Sequence, residues 1–300
     1  MKNINREKQQ QALLIPCVQP VDGIDQLPVV SFIFPPKLVH RTNCFLIGDK
    51  GDNKLIIDPS PTGAEEYQRL VNTLNSFEYT YTDIFITHHH SDHCQNAQQL
   101  AKEFSIPIII SEDSFRRILK KSRKGPFENI TIKFAREGEV LTHWNGQEVK
   151  VYEIPGHDEG QLALAPESMT WFLVGDLIQG PGTPGTGPGG GGSTVVIAAE
   201  EGDMQKYFRT LEHIIRLNPK YLLPSHGMVL ESVAPLEKTL EHRKEREQQV
   251  LKLFKQGKTP EQMTAKIYKR VNKALWPLAM ENIKSHLKKL EQEGLLINKQ

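Results

Sequence analysis

Short apolar blocks, bounded by turn residues, recur through the first two thirds of the chain. Blocks at VVSFIF (29–34), NCFLIG (43–48) and KLIIDP (54–59) predict three strands. GAEEYQRLVNTLNS changes the period: Tyr67, Leu70, Val71 and Leu74 fall at helical spacing and predict an amphipathic helix. A strand ending at Thr87, a helix through NAQQLAKEF, a strand at IPIII and a helix over SEDSFRRILKK follow. The middle of the chain returns to strands at NITIKF, EVKVYEI, QLALA and TWFLVG. Strands with helices recurring between them predict an α/β layered sandwich, in place of a helical bundle or a pure barrel.

From about residue 232 the pattern becomes helical. LEKTLEHRKEREQQVLKLFKQG predicts a long helix closed by Gly257. Thr259, Pro260, Glu261 and Gln262 open a second helix in TPEQMTAKIYKRV. AMENIKSHLKKLEQEG predicts a third, with Ile283, Leu287 and Leu290 on one face and Gly294 as its stop before a strand-like LLIN. Three helices and a short strand outline a winged helix. The expected division is a large α/β domain over residues 1–231 and a small basic winged-helix-like domain over 232–300.

Charge sharpens that division. Residues 236–300 hold fifteen Lys and Arg against eight Asp and Glu, an excess of seven positive charges, and the remainder carries an excess of six negative ones. The near-neutral total conceals a basic tail on an acidic body. GPGTPGTGPGGGGS (180–193) holds eight glycines and three prolines and predicts a mobile loop, since it has no apolar area to bury. No apolar run approaches the ~20 residues of a membrane span, and MKNINREKQQQ lacks the apolar stretch of a secretory signal, so a cytoplasmic protein is expected. Cys17, Cys44 and Cys94 are odd in number and far apart, which fits reduced thiols, with Cys94 expected to be buried and inert.

FITHHHSDH (85–93) packs four histidines and an aspartate directly behind a strand. Residues i and i+2 of an extended chain point the same way, about 6.6 Å apart. His88 and His90 are therefore expected to converge on one ion while His89 points away. A helix starting near Ser91 or Asp92 would turn Asp92 and His93 toward a second ion. Further ligands stand just beyond other strands: His157 in VYEIPGHDEG, Asp176 in TWFLVGDLIQG and His226 in YLLPSHG. His40, His89, His143, His213, His242 and His286 lack such a context and are expected to serve packing or the surface.

HxHxDH (88–93), GH (156–157), GD (175–176) and SHG (225–227), with Asp58 ending IIDPSP, resemble the motif series of the metallo-β-lactamase superfamily over residues 28–230. The resemblance implies a four-layer αβ/βα sandwich. It implies that His88, His90 and His157 hold one metal, that Asp92, His93 and His226 hold another, and that Asp176 bridges them. EEGDMQKYFRTLEHI, HRKEREQQVLKLF and IKSHLKKLEQEGLL resemble the branch with a C-terminal winged helix, whose best-known members are described as endonucleases on single-stranded RNA. Two positions depart from the family: CQNA follows the DH, and Asp158 stands where Thr is usual after GH.

Imidazole and carboxylate ligands without thiolates suit two Zn²⁺ first, with Mn²⁺ or Fe as alternatives. Water shared by two such ions loses its proton near neutral pH, so no serine or cysteine nucleophile is required. Asp92 is the candidate to orient that water and to pass a proton to the leaving group. The antibiotic-hydrolysing members generally have another residue in place of the bridging Asp and are exported, which argues against β-lactam hydrolysis; His90 argues against the flavodiiron type, which has glutamate there. Three functions remain: a phosphodiesterase on single-stranded RNA, a hydrolase of a small thioester or ester, and a nucleic-acid-binding regulator with an idle fold. The basic tail favours the first. No membrane partner is expected, and the oligomeric state is left open.

Overall fold

The computed structural model describes residues 14–34, 38–49, 51, 53–121, 127–183 and 195–296. The first sheet holds β1 (Val18–Val21), β2 (Ile24–Phe34), β3 (Leu38–Ile47) and β4 (Asn53–Ile57). It continues after α1 (Gly63–Ser76) with β5 (Thr80–Phe85). A short α2 (Ser91–Cys94) and α3 (Ala97–Phe104) lead to β6 (Ile108–Ile110), and α4 (Glu112–Lys121) leads to β7 (Ile132–Phe134). These seven strands lie in sequence order, antiparallel from β1 to β4 and parallel from β4 to β7. Facing them, β8 (Val140–Trp144), β9 (Gln147–Glu153) and β10 (Leu162–Pro166) form an antiparallel sheet, and β11 (Trp171–Gly175) pairs in parallel with β12 (Tyr221–Pro224). Between β11 and β12 lies α5 (Met204–Leu217). Helices α6 (Ala234–Phe254), α7 (Pro260–Ile267) and α8 (Trp276–Gln292) close the chain, with a 3₁₀ turn at Lys273–Leu275.

Period-2 alternation explains the layering. Leu46, Ile56, Ile84 and Ile108 face α1 and α3, where they meet Leu70, Leu74, Leu100 and Ala101. Their neighbours Phe45, Ile57, Phe85 and Ile109 point to the opposite face and meet Val149, Val151, Leu164 and Leu173 of the second sheet. The second sheet alternates likewise, and Ala163, Phe172, Val174 and Leu222 turn outward onto Tyr207, Leu211 and Ile214 of α5. The result is helix, sheet, sheet, helix: the αβ/βα sandwich expected. Each fully buried Leu, Ile or Phe contributes about 1.5–3 kcal/mol, so the central strands, buried on both faces, hold the sandwich together.

α6 belongs to two cores. Leu236 and Leu240 join the layer under α5, whereas Val250 and Leu253 pack with Met263, Ile283 and Leu290 in a separate small core. α7 opens on a reciprocal cap: Thr259 Oγ1 accepts from Gln262 N at 3.3 Å, and Gln262 Oε1 accepts from Thr259 N at 3.2 Å. It ends at Ile267, earlier than the sequence pattern suggests, because beyond it Lys269, Arg270 and Asn272 give no buried face to continue. Of the Gly-rich stretch only Gly180–Thr183 is described; residues 184–193, and the second half of the strand-like LLIN, lie outside the described residues. Among the described residues, no helix is long and apolar enough to cross a membrane.

Candidate metal centre

Four strand ends meet at one edge of the two sheets. β5 runs into Thr87, whose backbone N–H and hydroxyl donate to Asp58 at 2.8 and 2.7 Å, so the end of β4 fixes the start of the histidine run. His90 stands at the N-cap of α2, which puts Asp92 and His93 into the first helical turn. His157 lies in the loop between β9 and β10, behind Gly156, where a Cβ would come within 2.4 Å of the Tyr207 Cα. Asp176 follows β11 directly. His226 follows β12 and precedes Gly227, whose positive φ of 82° and close approach to the Gly180 carbonyl both call for glycine.

All seven predicted side chains come together, in two groups that share Asp176. His88, His90, His157 and Asp176 form one, and His93, Asp176 and His226 the other. Asp92 borders the second, its Oδ2 3.5 Å from His226 Nε2 and 3.8 Å from His93 Nε2. Asp176 stands between them: Oδ2 is 3.7 Å from His157 Nε2 and 3.6 Å from His93 Nε2, and Oδ1 is 3.3 Å from His226 Nε2.

The outer ring nitrogens show which lone pairs face inward. His157 Nδ1 donates to Val196 O at 2.9 Å and His226 Nδ1 to Arg41 O at 2.8 Å. Carboxylates take the outer nitrogens of His93 (Asp58, 2.8 Å) and His90 (Glu201, 3.0 Å). The Thr87 hydroxyl donates to Asp58 and so accepts from His88 Nδ1 at 3.1 Å. Every imidazole thus carries its proton on the outer side and turns a bare nitrogen inward. His90 Nδ1 lies 3.0 Å from His88 Nε2 and 3.1 Å from His157 Nε2. Three lone pairs at that separation repel unless a cation lies among them. His93 Nε2 and Asp176 Oδ1 are buried without a hydrogen-bond partner. The donor set therefore fits metal ions in both groups.

Charge tells the same story. Burial, reinforced by neighbouring imidazoles, pushes His88 well below the ordinary histidine range, and burial takes His157 down to about 4. Both offer neutral nitrogens at neutral pH. In the second group burial opposes charge but is outweighed: Asp176 raises His226, and Asp176, Asp92 and Asp58 together raise His93. Asp176 itself, despite burial, is held well below the carboxylate range by His226 and His93. The carboxylates of the second group thus favour positive charge at the place a second cation would take.

His89 points away, as expected, but it is no surface residue. It is buried, with Nδ1 2.6 Å from Asp158 Oδ2, so the departure from the family pattern at Asp158 serves as its partner. His286, also buried, lies 3.3 Å from Glu247. His40, assigned above to packing or the surface, packs beside the centre: its ring centre lies 4.5 Å from that of His226, the planes tilted by 54°, and Nδ1 is 3.9 Å from Asp92. Glu201, which holds His90 and accepts from Lys121 at 2.6 Å, carried no signal in the sequence, since it lies 111 positions from its histidine. Beside the centre opens a cavity of about 450 Å³ lined by His90, Asp92, Cys94, Ile118, Lys121 and Phe127 among others. Burial pushes the Cys94 thiol up to about 12, which leaves it unreactive near neutral pH.

Residues 39–226 match the profile of the metallo-beta-lactamase superfamily, and residues 259–300 that of the beta-lactamase associated winged helix domain. The beta-lactamase-like protein 2 homolog of Drosophila melanogaster is 29% identical over 86% of this chain and 85% of its own. The hydroxyacylglutathione hydrolase GloC of Haemophilus influenzae is 26% identical over 52% of this chain and 72% of its own. In three dimensions, a beta-lactamase domain protein from Burkholderia ambifaria superposes with a TM-score of 0.75 at 16% identity, covering 93% of this chain and 88% of that one. The matched region contains all seven converging residues, and the chain belongs to the metallo-β-lactamase superfamily, whose members are metal-dependent hydrolases.

Proposed function

We propose that this chain hydrolyses a small acyl thioester or ester at a two-metal centre held by His88, His90, Asp92, His93, His157, Asp176 and His226. The observation that carries this reading is the cavity beside the centre. At about 450 Å³ it has the size of a small-molecule site, and it opens on His90 and Asp92. Ile118, Phe127 and Cys94 supply an apolar wall for an acyl chain; Gln95, Asn96, Gln98 and Lys121 supply polar contacts. The similarity to a hydroxyacylglutathione hydrolase supports the same class.

Bound divalent cations, Zn²⁺ first and Mn²⁺ or Fe as alternatives, would supply activated water near neutral pH and polarise the scissile carbonyl. The protein supplies direction. Asp176 joins both ligand groups and sets their separation. Asp92 is about a fifth exposed at the cavity mouth, near the second group. It can orient the attacking water and carry a proton to the departing thiol or alcohol. Thr42 Oγ1 donates to the Asp92 carbonyl at 2.7 Å and so holds the first turn of α2 in place.

Cleavage of single-stranded RNA is the second reading, and one observation favours it: Lys266, Lys269, Arg270 and Lys273 are exposed together at the end of α7 and beyond. Much of the remaining tail charge is spent internally. Arg243 is buried on Asn282, Lys289 pairs with Glu247 and Glu293, Lys244 with Glu212 and Lys284 with Glu281. A parallel turnover measurement on zinc- and manganese-reconstituted protein decides between the two. S-lactoylglutathione or an acyl thioester of N-acetylcysteamine should be hydrolysed with kcat/KM at least a hundredfold above that for a single-stranded RNA oligomer. RNA cleavage with inert thioesters would reverse the order.

A further inference from the structure

The C-terminal helices reach the candidate centre through one short backbone segment, residues 195–199. Arg243 of α6 donates through Nη2 to the Val195 carbonyl and through Nη1 to Asn282 Oδ1 of α8 at 2.9 Å. The same Asn282 oxygen accepts from Ile197 N at 2.9 Å, and Ser285 Oγ donates to Ile197 O at 2.5 Å. Lys288 Nζ donates to Ala199 O at 2.9 Å. Thus the carbonyls of 195, 197 and 199 face the helices, as alternate groups of an extended chain do. The carbonyl between them, Val196 O, faces the other way and accepts from His157 Nδ1. Two residues past this segment, Glu201 holds His90.

Arg243, Asn282 and Ser285 are all buried, at 2%, 8% and 1% exposure. A buried guanidinium with a carbonyl, an amide oxygen and the Tyr207 ring as its neighbours, and no carboxylate bonded to it among the described residues, is costly to place. Such a group is kept where it fixes geometry. The outer hydrogen bond of a ligating histidine sets its tautomer and ring direction, and loss of that bond commonly costs ten- to a hundredfold in metal affinity.

We propose that Arg243, Asn282 and Ser285 are positioning residues for His157. They grip residues 195–199 so that the Val196 carbonyl keeps the imidazole aimed into the centre, which makes the C-terminal helices a structural part of that centre. This rests on the metal-centre reading above.

The test compares Asn282→Ala and Ser285→Ala with Asn282→Asp and Ser285→Thr, which keep the acceptor and the hydroxyl, and with Lys284→Ala, a surface change on the same helix. Two quantities are measured on the full chain: hydrogen exchange at residues 195–201 in metal-free protein, and the zinc dissociation constant by competition with a chromophoric chelator. The alanine variants should exchange faster there and bind the first zinc at least tenfold more weakly. The conservative variants and Lys284→Ala should stay within threefold of the parent. If Asn282→Ala fails to fold, Ser285→Ala carries the test. Folded alanine variants that match a zinc-loaded parent in affinity overturn the proposal alone; a parent that takes up no zinc overturns the metal-centre reading and the proposal with it.

Discussion

Asp58 Oδ2 lies 2.8 Å from His93 Nδ1, with the Thr87 N–H and hydroxyl completing its shell, at a residue whose own φ is +46°. A non-glycine residue in that region costs of order 1 kcal/mol or more, and here the carboxylate it delivers fixes the tautomer of a candidate ligand. Asp58→Asn would turn an amide N–H toward His93, and the ring proton would shift to the inner nitrogen. The second metal ion should then bind ten- to a hundredfold more weakly, and the first should weaken too, because the Thr87 hydroxyl loses the acceptor that lets it receive His88 Nδ1. A titration in which both ions bind as in the parent would refute this role.

Asp176 and His89 should behave in opposite ways. Asp176 touches both ligand groups, so Asp176→Ala should lower the content of both metals and reduce turnover by several orders of magnitude. His89→Ala should leave metal content nearly intact but strand a buried Asp158, with a stability loss of about 3–5 kcal/mol. Metal analysis and thermal melts of the two purified variants separate these effects. If His89→Ala strips metal as thoroughly as His88→Ala, the register of the histidine run is other than stated.

Local patterns made most of the centre legible. His88, His90, Asp92 and His93 lie in one turn, and His157, Asp176 and His226 each follow an apolar run that announces a strand end. What holds these side chains was not legible, because Glu201, Val196 and Arg41 lie 111, 39 and 185 positions from the histidines they orient. The place of His40 beside the centre was not legible for the same reason: it sits within β3, and only the pairing of layers brings it to His226. In the fold, the first half of β2 was missed because Asp25, Gln26 and Pro28 interrupt the apolar pattern. These positions nevertheless pair in the ladder with Leu46, Phe45 and Asn43 of β3. β8, with mostly partly exposed residues, gave no apolar block to read.

His286 should make the C-terminal core acid-sensitive. Burial lowers its pKa to about 4, with Glu247 pulling the other way and Arg243 and Lys289 nearby. In the unfolded chain it titrates near 6.5. Between those values the unfolded chain takes up a proton that the folded chain refuses, so stability falls as pH drops from about 6.5 to 4, by roughly 3 kcal/mol in all at 1.36 kcal/mol per unit. His286→Gln should remove that slope. Urea unfolding of metal-free parent and variant at pH 7, 5.5 and 4.5 measures it as a difference, and parallel curves would show that His286 contributes nothing.

The basic tip of the tail separates the two functional readings. Lys266, Lys269, Arg270 and Lys273 are exposed, and the Lys273 ammonium lies 5.7 Å from the Trp276 ring centre. If this face carried RNA, each phosphate contact would release counterions, and log affinity would fall with log salt by roughly 0.7 per contact on a single strand. Changing all four to Gln would flatten that slope and lower RNA cleavage while sparing a small phosphodiester such as bis-p-nitrophenyl phosphate. With a small thioester as substrate, the expected result is different. The quadruple variant should keep kcat/KM for the thioester within threefold of the parent at every salt concentration, because the cavity beside His90 and Asp92 is lined by none of these four residues. A tenfold loss of thioester turnover would tie the tip to the substrate after all, and a salt-dependent RNA affinity that vanishes in the variant would move the assignment to nucleic acid.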